Sequence, residues 1–177
     1  RDQLGVAGPA GKGPDIIIGA HDWLGELVTN GLIEPIDLQG KQKDFLKVSV
    51  EAFTWGNTLY GVPYAVEAVG LFYNTKLVPN PPKTWDDLVA ICKKLTDKDK
   101  KQYGFLLPTP DPYHTFPIMS AAGGYVFGVN KDGTLNPLDV GLNNAGAVRG
   151  LSLLDKLVED GLMPQSMDYN TMMGLFK

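Results

Sequence analysis

The sequence predicts an α/β structure in which helices pack on a sheet. Three observations lead there. Short β-branched and aromatic runs alternate with amphipathic stretches along the chain. The amphipathic stretches carry their own start and stop residues. Several apolar runs are continuous, as in strands covered on both faces. With 177 residues, 44% of them hydrophobic and 20% charged, the chain is long enough to bury a core as one domain or two small lobes.

The elements follow in order. The first strand signal is "DIII", whose isoleucines at 16–18 run directly into Gly19-Ala20-His21-Asp22-Trp23. Asp22 is the expected N-cap of a helix that stops at Asn30-Gly31. A second helix is expected over residues 44–53, with Phe45, Val48 and Ala52 on one face. Trp55, Gly56-Asn57 and "TLYGV" predict a hairpin turning at the Gly-Asn pair. "YGVPYAVEA" at 60–68 predicts extended chain, equally an edge strand carrying Pro63 or a crossing between lobes. "AVGLFY" at 68–73 reads as a strand buried on both faces.

Thr84, with Asp87 three positions on, predicts a capped helix through "KTWDDLVAICKKL", where Leu88, Ile91, Cys92 and Leu95 share a stripe. "YGFLL" at 103–107 is a further strand signal, and "TFPIMSAAGG" a short helix ended by Gly123-Gly124. "GVNKDGTL" predicts a surface hairpin turning at Asp132-Gly133. The last long helix places Ala147, Leu151, Leu154 and Val158 on a common face and ends at Gly161. Met163, Met167, Met172 and Met173 read as packing.

Composition removes several function classes. A net charge of -4 argues against nucleic-acid binding, which needs a clustered basic face. The basic run "TDKDKKQ" alternates with aspartates and reads as a solvated helix end. No apolar run approaches the length of a membrane span. Cys92 is alone, so no internal disulfide forms, and its place on an apolar stripe makes it a small hydrophobe. "GPAGKGPD" lacks the Lys-Ser/Thr ending of a phosphate loop and follows no strand, so no nucleotide cofactor is expected. The two histidines lie far apart without helical pairing to another ligand, so no metal is expected.

One pattern recurs. "DIIIGAHDW" and "GFLLPTPDPYHTF" each run from an apolar segment into an acid-plus-ring cluster and then a helix start. Glu67 stands between them, just ahead of another apolar run. Such groups suit a sugar: vicinal hydroxyls donate to the two oxygens of a carboxylate, and the C–H face of a pyranose packs on a ring. Asp22 with Trp23 makes one such couple, and Asp111 with Tyr113 another. Taken singly, Asp22 as a helix cap and Trp23 as core is the simpler reading. Paired carboxylates also serve glycoside hydrolysis, which keeps an enzyme using Asp22, Glu67 or Asp111 as the alternative.

The segments "GPDIIIGAHDW", "NGLIEPI", "YGVPYAVEAVGLFYNTKLVPNPPKTWDDL", "PDPYHTFPIMSAAGGYVF" and "DVGLNNAGAVRGLSLLDKLVEDGLM" together resemble the bacterial extracellular solute-binding proteins of sugar ABC transporters, nearest the maltose/maltodextrin branch. The resemblance implies a periplasmic-binding-protein-like (type II) α/β fold. Residues 1–65 would belong to the N-terminal lobe up to the hinge and residues 66–177 to the C-terminal lobe, the two closing around the sugar. It implies an extracytoplasmic receptor, in a periplasm or lipid-tethered, that delivers maltodextrin to a membrane permease and catalyses nothing. Carried over by position, Ala20 and Asp22 contact sugar from the first lobe, while Glu67, Asp111 and Tyr113 contact it from the second, with Pro112 and Phe116 lining the cleft. Some relatives have an aromatic residue at Gly19 and a basic one at Trp23, so Trp23 stands as replacement stacking. The resemblance also implies an internal piece of a larger protein, expected on its own to bind sugar weakly or not at all. A partner is then expected in the remainder of the polypeptide or a second copy. An inactive structural piece of such a receptor is the third reading.

Overall fold

Local turn and capping chemistry shapes much of the chain in the computed structural model, which describes residues 2–109 and 111–176. The chain divides into two compact units, Arg1–Ala68 and Val69–Lys177.

In the first unit, α1 (Asp2–Ala7) is followed by irregular chain, a 3-10 turn at His21–Trp23 and α2 (Leu24–Thr29). Asn30 closes α2, and Gly31 at φ +63° takes the left-handed conformation beyond it. A 3-10 turn at Lys41–Asp44 and α3 (Lys47–Ala52) occupy the stretch predicted as one helix. Phe45 and Ala52 are half-buried on the expected face, but Val48 is 62% exposed, and Ser49 is the buried residue of α3. Strands β1 (Thr54–Trp55) and β2 (Thr58–Leu59) pair antiparallel, with Gly56 and Asn57 both at positive φ, as a type I′ turn requires. Trp55 lays its ring against Gly25 of α2, where a Cβ would stand 3.0 Å from the indole. Leu24, Leu27 and Leu38 are buried in this unit.

In the second unit, α4 (Trp85–Leu95) has the predicted capping box: Asp87 N–H donates to Thr84 Oγ1 and Thr84 N–H donates to Asp87 Oδ2. The Thr84 side chain first, then the Lys83 and Thr84 N–H groups, hold the Asp87 carboxyl below its ordinary range. Helix α5 (Pro112–Ala121) runs to Gly123, and β3 (Phe127–Val129) pairs with β4 (Leu135–Val140) across the Asp132-Gly133 turn. Asn144 caps α6 (Ala145–Glu159) by accepting the Ala147 N–H, and its amide donates to Gly123 O at the end of α5. Helix α7 (Tyr169–Leu175) is capped by Asp168, which accepts the Thr171 N–H.

The core of this unit joins α4 to α6. Leu88 and Cys92 meet Leu154, Leu157, Leu162 and Met163, with Phe105 and Leu107 between them. Cys92 is fully buried, and desolvation pushes its thiol up to about 11, as suits a packing residue. Gly104 lies against the Cys92 backbone with no room for a Cβ. Helix α6 packs on α5 through Gly150 and on the turn after α5 through Gly146. Ala147 and Leu154 are buried and Val158 packs against the core as expected, but Leu151 is 44% exposed and Leu157 is a further core residue. Of the methionines, Met163 and Met167 are buried, whereas Met173 is exposed.

Three strand expectations need correction. Ile16 and Ile18 are 84% and 73% exposed, and Phe72 is 80% exposed, so neither run is buried. Residues 13–19 and 61–73 lie in irregular chain and make no backbone hydrogen bond among the described residues. Strand propensity cannot substitute for a neighbouring strand that takes up the N–H and C=O groups. Residues 103–107 are extended with Phe105 and Leu107 buried, but they too pair with no strand among those described. The basic run at 96–102 starts at Thr96, the C-cap of α4, and its exposed residues 98–102 then close a turn through an Asp97–Gln102 bridge. No helix among the described residues is long and apolar enough to cross a membrane.

Candidate functional site

The first acid-and-ring group sits on a tight turn. Ala20 is extended and exposed, and its C=O accepts the Trp23 N–H at 3.2 Å, winding His21–Trp23 into the 3-10 turn that leads into α2. Asp22 lies within this turn and caps nothing through its side chain, contrary to expectation, because helix α2 proper starts two residues later. Its exposed carboxylate has no hydrogen bond or ion pair among the described residues, which leaves both oxygens open.

Trp23 folds back over Gly19. A Cβ built at Gly19 would lie 2.5 Å from Cε3 and 2.7 Å from Cζ3 of the indole, so the ring fills the space any side chain there needs. Gly19→Ala should therefore dislodge the indole. The measurement is the Trp23 indole N–H resonance, expected to shift clearly; an unchanged resonance contradicts the contact. Glu67, expected on the second lobe, is exposed at the end of the first unit, within irregular chain that has no backbone hydrogen-bond partner among the described residues.

The second group sits at the start of α5. Asp111 is its N-cap: Oδ1 accepts the Tyr113 N–H at 2.9 Å, and Pro112 takes the first helical position, where its missing N–H costs nothing. Oδ2 lies 2.6 Å from Nδ1 of His114. The His114 bond first, and the Tyr113 N–H second, hold the Asp111 carboxyl below its ordinary range. It is thus an ionised acceptor at neutral pH. Tyr113 presents a ring that is 54% exposed, and Phe116, three residues on, is half-buried on the same helix. Pro110 lies outside the described residues.

Two further rings join this group. His114 meets Tyr113 edge-on, with centroids 5.3 Å apart, and lies tilted against Tyr169 of α7 at 5.6 Å. The sequence analysis missed both His114 and Tyr169 as site residues. A signal existed for Tyr169: Asp168-Tyr169 repeats the acid-then-ring step ahead of a helix already seen at Asp22-Trp23. The second unit thus brings Asp111, Tyr113, His114 and Tyr169 together, with Pro112 and Phe116 on the same helix, while Ala20, Asp22 and Trp23 share the turn of the first. Among the described residues no cluster of His, Cys, Asp and Glu has the makings of a metal site. Ionised acceptors beside half-exposed rings can bind hydroxyls and a flat apolar face together.

The chain is 39% identical over 166 residues to a galactooligosaccharide-binding protein of Bacillus subtilis (strain 168), covering 92% of this chain and 39% of that protein. It is 36% identical to a maltotriose-binding protein of Pyrococcus abyssi (strain GE5 / Orsay), covering 99% of this chain and 38% of that one. Among solved structures, a cyclo/maltodextrin-binding protein complexed with maltotetraose matches with a TM-score of 0.80 and 39% identity, over 99% of this chain and 46% of that chain. That match gives the chain the periplasmic-binding-protein-like fold expected from its sequence. The chain thus spans less than half the length of the relatives it matches. The sequence pattern of the bacterial extracellular solute-binding proteins matches residues 1–177, and the chain belongs to that family.

Proposed function

We propose that this chain supplies sugar-binding groups to the extracytoplasmic receptor of an ABC importer, and that the sugar is a maltodextrin. The single observation behind this reading is the 0.80 TM-score, at 39% identity, with a protein holding maltotetraose. The acid-and-ring groups supply the chemistry. Asp22, Glu67 and Asp111 accept sugar hydroxyls, Trp23 and Tyr113 pack on pyranose faces, and Ala20, Pro112 and Phe116 line the surface beside them. Residues 1–65 act as part of the N-terminal lobe and 66–177 as part of the C-terminal lobe, with hinge closure around the sugar and release to a membrane permease.

Binding proceeds without bond cleavage. A glycosidase needs a carboxylic acid whose pKa is raised so that it stays protonated. Asp111 is shifted the other way, toward the ionised form, which argues against it as that acid. Galactooligosaccharide is the competing sugar, favoured by the 39% identity to the Bacillus subtilis protein.

Calorimetric titration with maltotriose and with a galactooligosaccharide tests the reading. Maltotriose binds, weakly for this chain alone, and Asp111→Asn or Tyr113→Ala weakens it about fivefold or more, the equivalent of one hydrogen bond or ring contact. Preference for the galactooligosaccharide replaces the sugar but keeps the site. Glucose released from maltotriose refutes the receptor reading.

A further inference from the structure

The Asp111–His114 pair has a consequence for sugar recognition that the groups named above leave unused. An ionised carboxylate only accepts hydrogen bonds, so the 2.6 Å contact with Asp111 Oδ2 puts the proton of neutral His114 on Nδ1. The lone pair is then on Nε2. That nitrogen has no hydrogen-bond partner among the described residues. No buried side-chain polar atom among the described residues is left unpartnered, so Nε2 is not fully buried. The side chain as a whole is 21% exposed, with Tyr113 at its edge and Tyr169 tilted against it, so the ring is held while one atom faces out.

A fixed acceptor between two half-exposed rings is suited to a hydroxyl donor. We propose that His114 is itself a sugar-binding residue, whose Nε2 accepts a hydrogen from a sugar hydroxyl while Asp111 sets its tautomer. This rests on the maltodextrin reading of the same site. It also gives Asp111 a second duty: besides accepting hydroxyls with its remaining lone pairs, it selects Nε2 as the accepting nitrogen of the uncharged ring. Tyr169, tilted against the ring, packs on the imidazole.

The test is the ring-nitrogen NMR spectrum of the chain, which has two histidines, with the His114 signals assigned by substitution. Without sugar, His114 shows the Nδ1-protonated form, and Asp111→Ala relaxes it toward the Nε2-protonated form. Added maltotriose shifts the His114 Nε2 resonance. His114→Asn keeps a donor near the position of Nδ1 but nothing at Nε2, and weakens maltotriose binding about fivefold. His114→Gln restores an amide near Nε2 and recovers part of that loss. Should maltotriose move the Tyr113 resonances but leave Nε2 unshifted, with His114→Asn binding as tightly as the parent, the histidine proposal fails and the sugar reading stands. Should maltotriose move neither Tyr113 nor His114, both fail.

Discussion

Leu157→Ala should destabilise the second unit by about 2–5 kcal/mol, the range for removing a buried leucine and leaving a cavity that only partly collapses. Leu157 is 1% exposed and lies in the cluster that joins α4 to α6, against neighbours including the fully buried Cys92. Such a loss is a large part of the roughly 5–15 kcal/mol that holds a typical domain together. The comparison variant is Leu151→Ala. Leu151 is 44% exposed, so its truncation removes little buried area and should cost under about 1 kcal/mol. Urea titration of the two variants separates them directly. Equal losses would mean that α6 buries the face expected from its apolar spacing and not the one described.

Gly150→Ala has the second large effect, and its sign is the informative part. Inside a helix, alanine is ordinarily better than glycine by about 0.5–1 kcal/mol. At position 150 the new Cβ would stand 2.7 Å from Met119 Cα and 2.8 Å from Ile118 O, both backbone atoms of α5. Backbone cannot rotate aside as a side-chain tip can, so the helices must separate, and overpacking costs about 1–3 kcal/mol. The steric cost wins, and the variant is destabilised despite its better helix propensity. Gly174→Ala in α7 is the control, with nothing within 4 Å of its Cβ, and it should be neutral or slightly stabilising. Thermal melts of both variants decide the matter; stabilisation by Gly150→Ala would contradict the close crossing of α5 and α6.

What could be read from the sequence was local. The Thr84–Asp87 box, the Gly56-Asn57 and Asp132-Gly133 turns and the Gly161 stop each depend on a few adjacent residues, and each is where its chemistry places it. Of the stripe predicted for α6, Leu151 is the exposed member, and the close approach to α5 was not legible because Gly150 has no side chain to register in an apolar stripe. The isoleucine run at 16–18 and "AVGLFY" read as strands because their side chains favour strands, but pairing is a property of a second segment. Leu71 and Phe72 are consequently exposed.

The candidate site divides the same way. Asp111 and Tyr113 were legible because an acid, a proline and a ring at a helix start form a short motif. His114 stood in the same acid-and-ring run without a role of its own, since its value depends on Tyr169, which lies 55 positions further along and reaches it through α7. Asp22 was read as a cap because aspartate before an apolar stretch usually is one. The intervening 3-10 turn leaves its carboxylate uncommitted instead, which suits an acceptor better than a cap.

The central claim is that open carboxylates and half-exposed rings on this chain hold a glucose oligosaccharide intact. Saturation-transfer NMR with maltotriose addresses it most directly, because it reports weak contacts and names the protons involved. Irradiating the aromatic protons should transfer saturation to the pyranose C–H protons, with the effect reduced in Tyr113→Ala and in Trp23→Ala and the sugar recovered unchanged. Transfer that persists undiminished in both variants, or no transfer at all, would contradict the account.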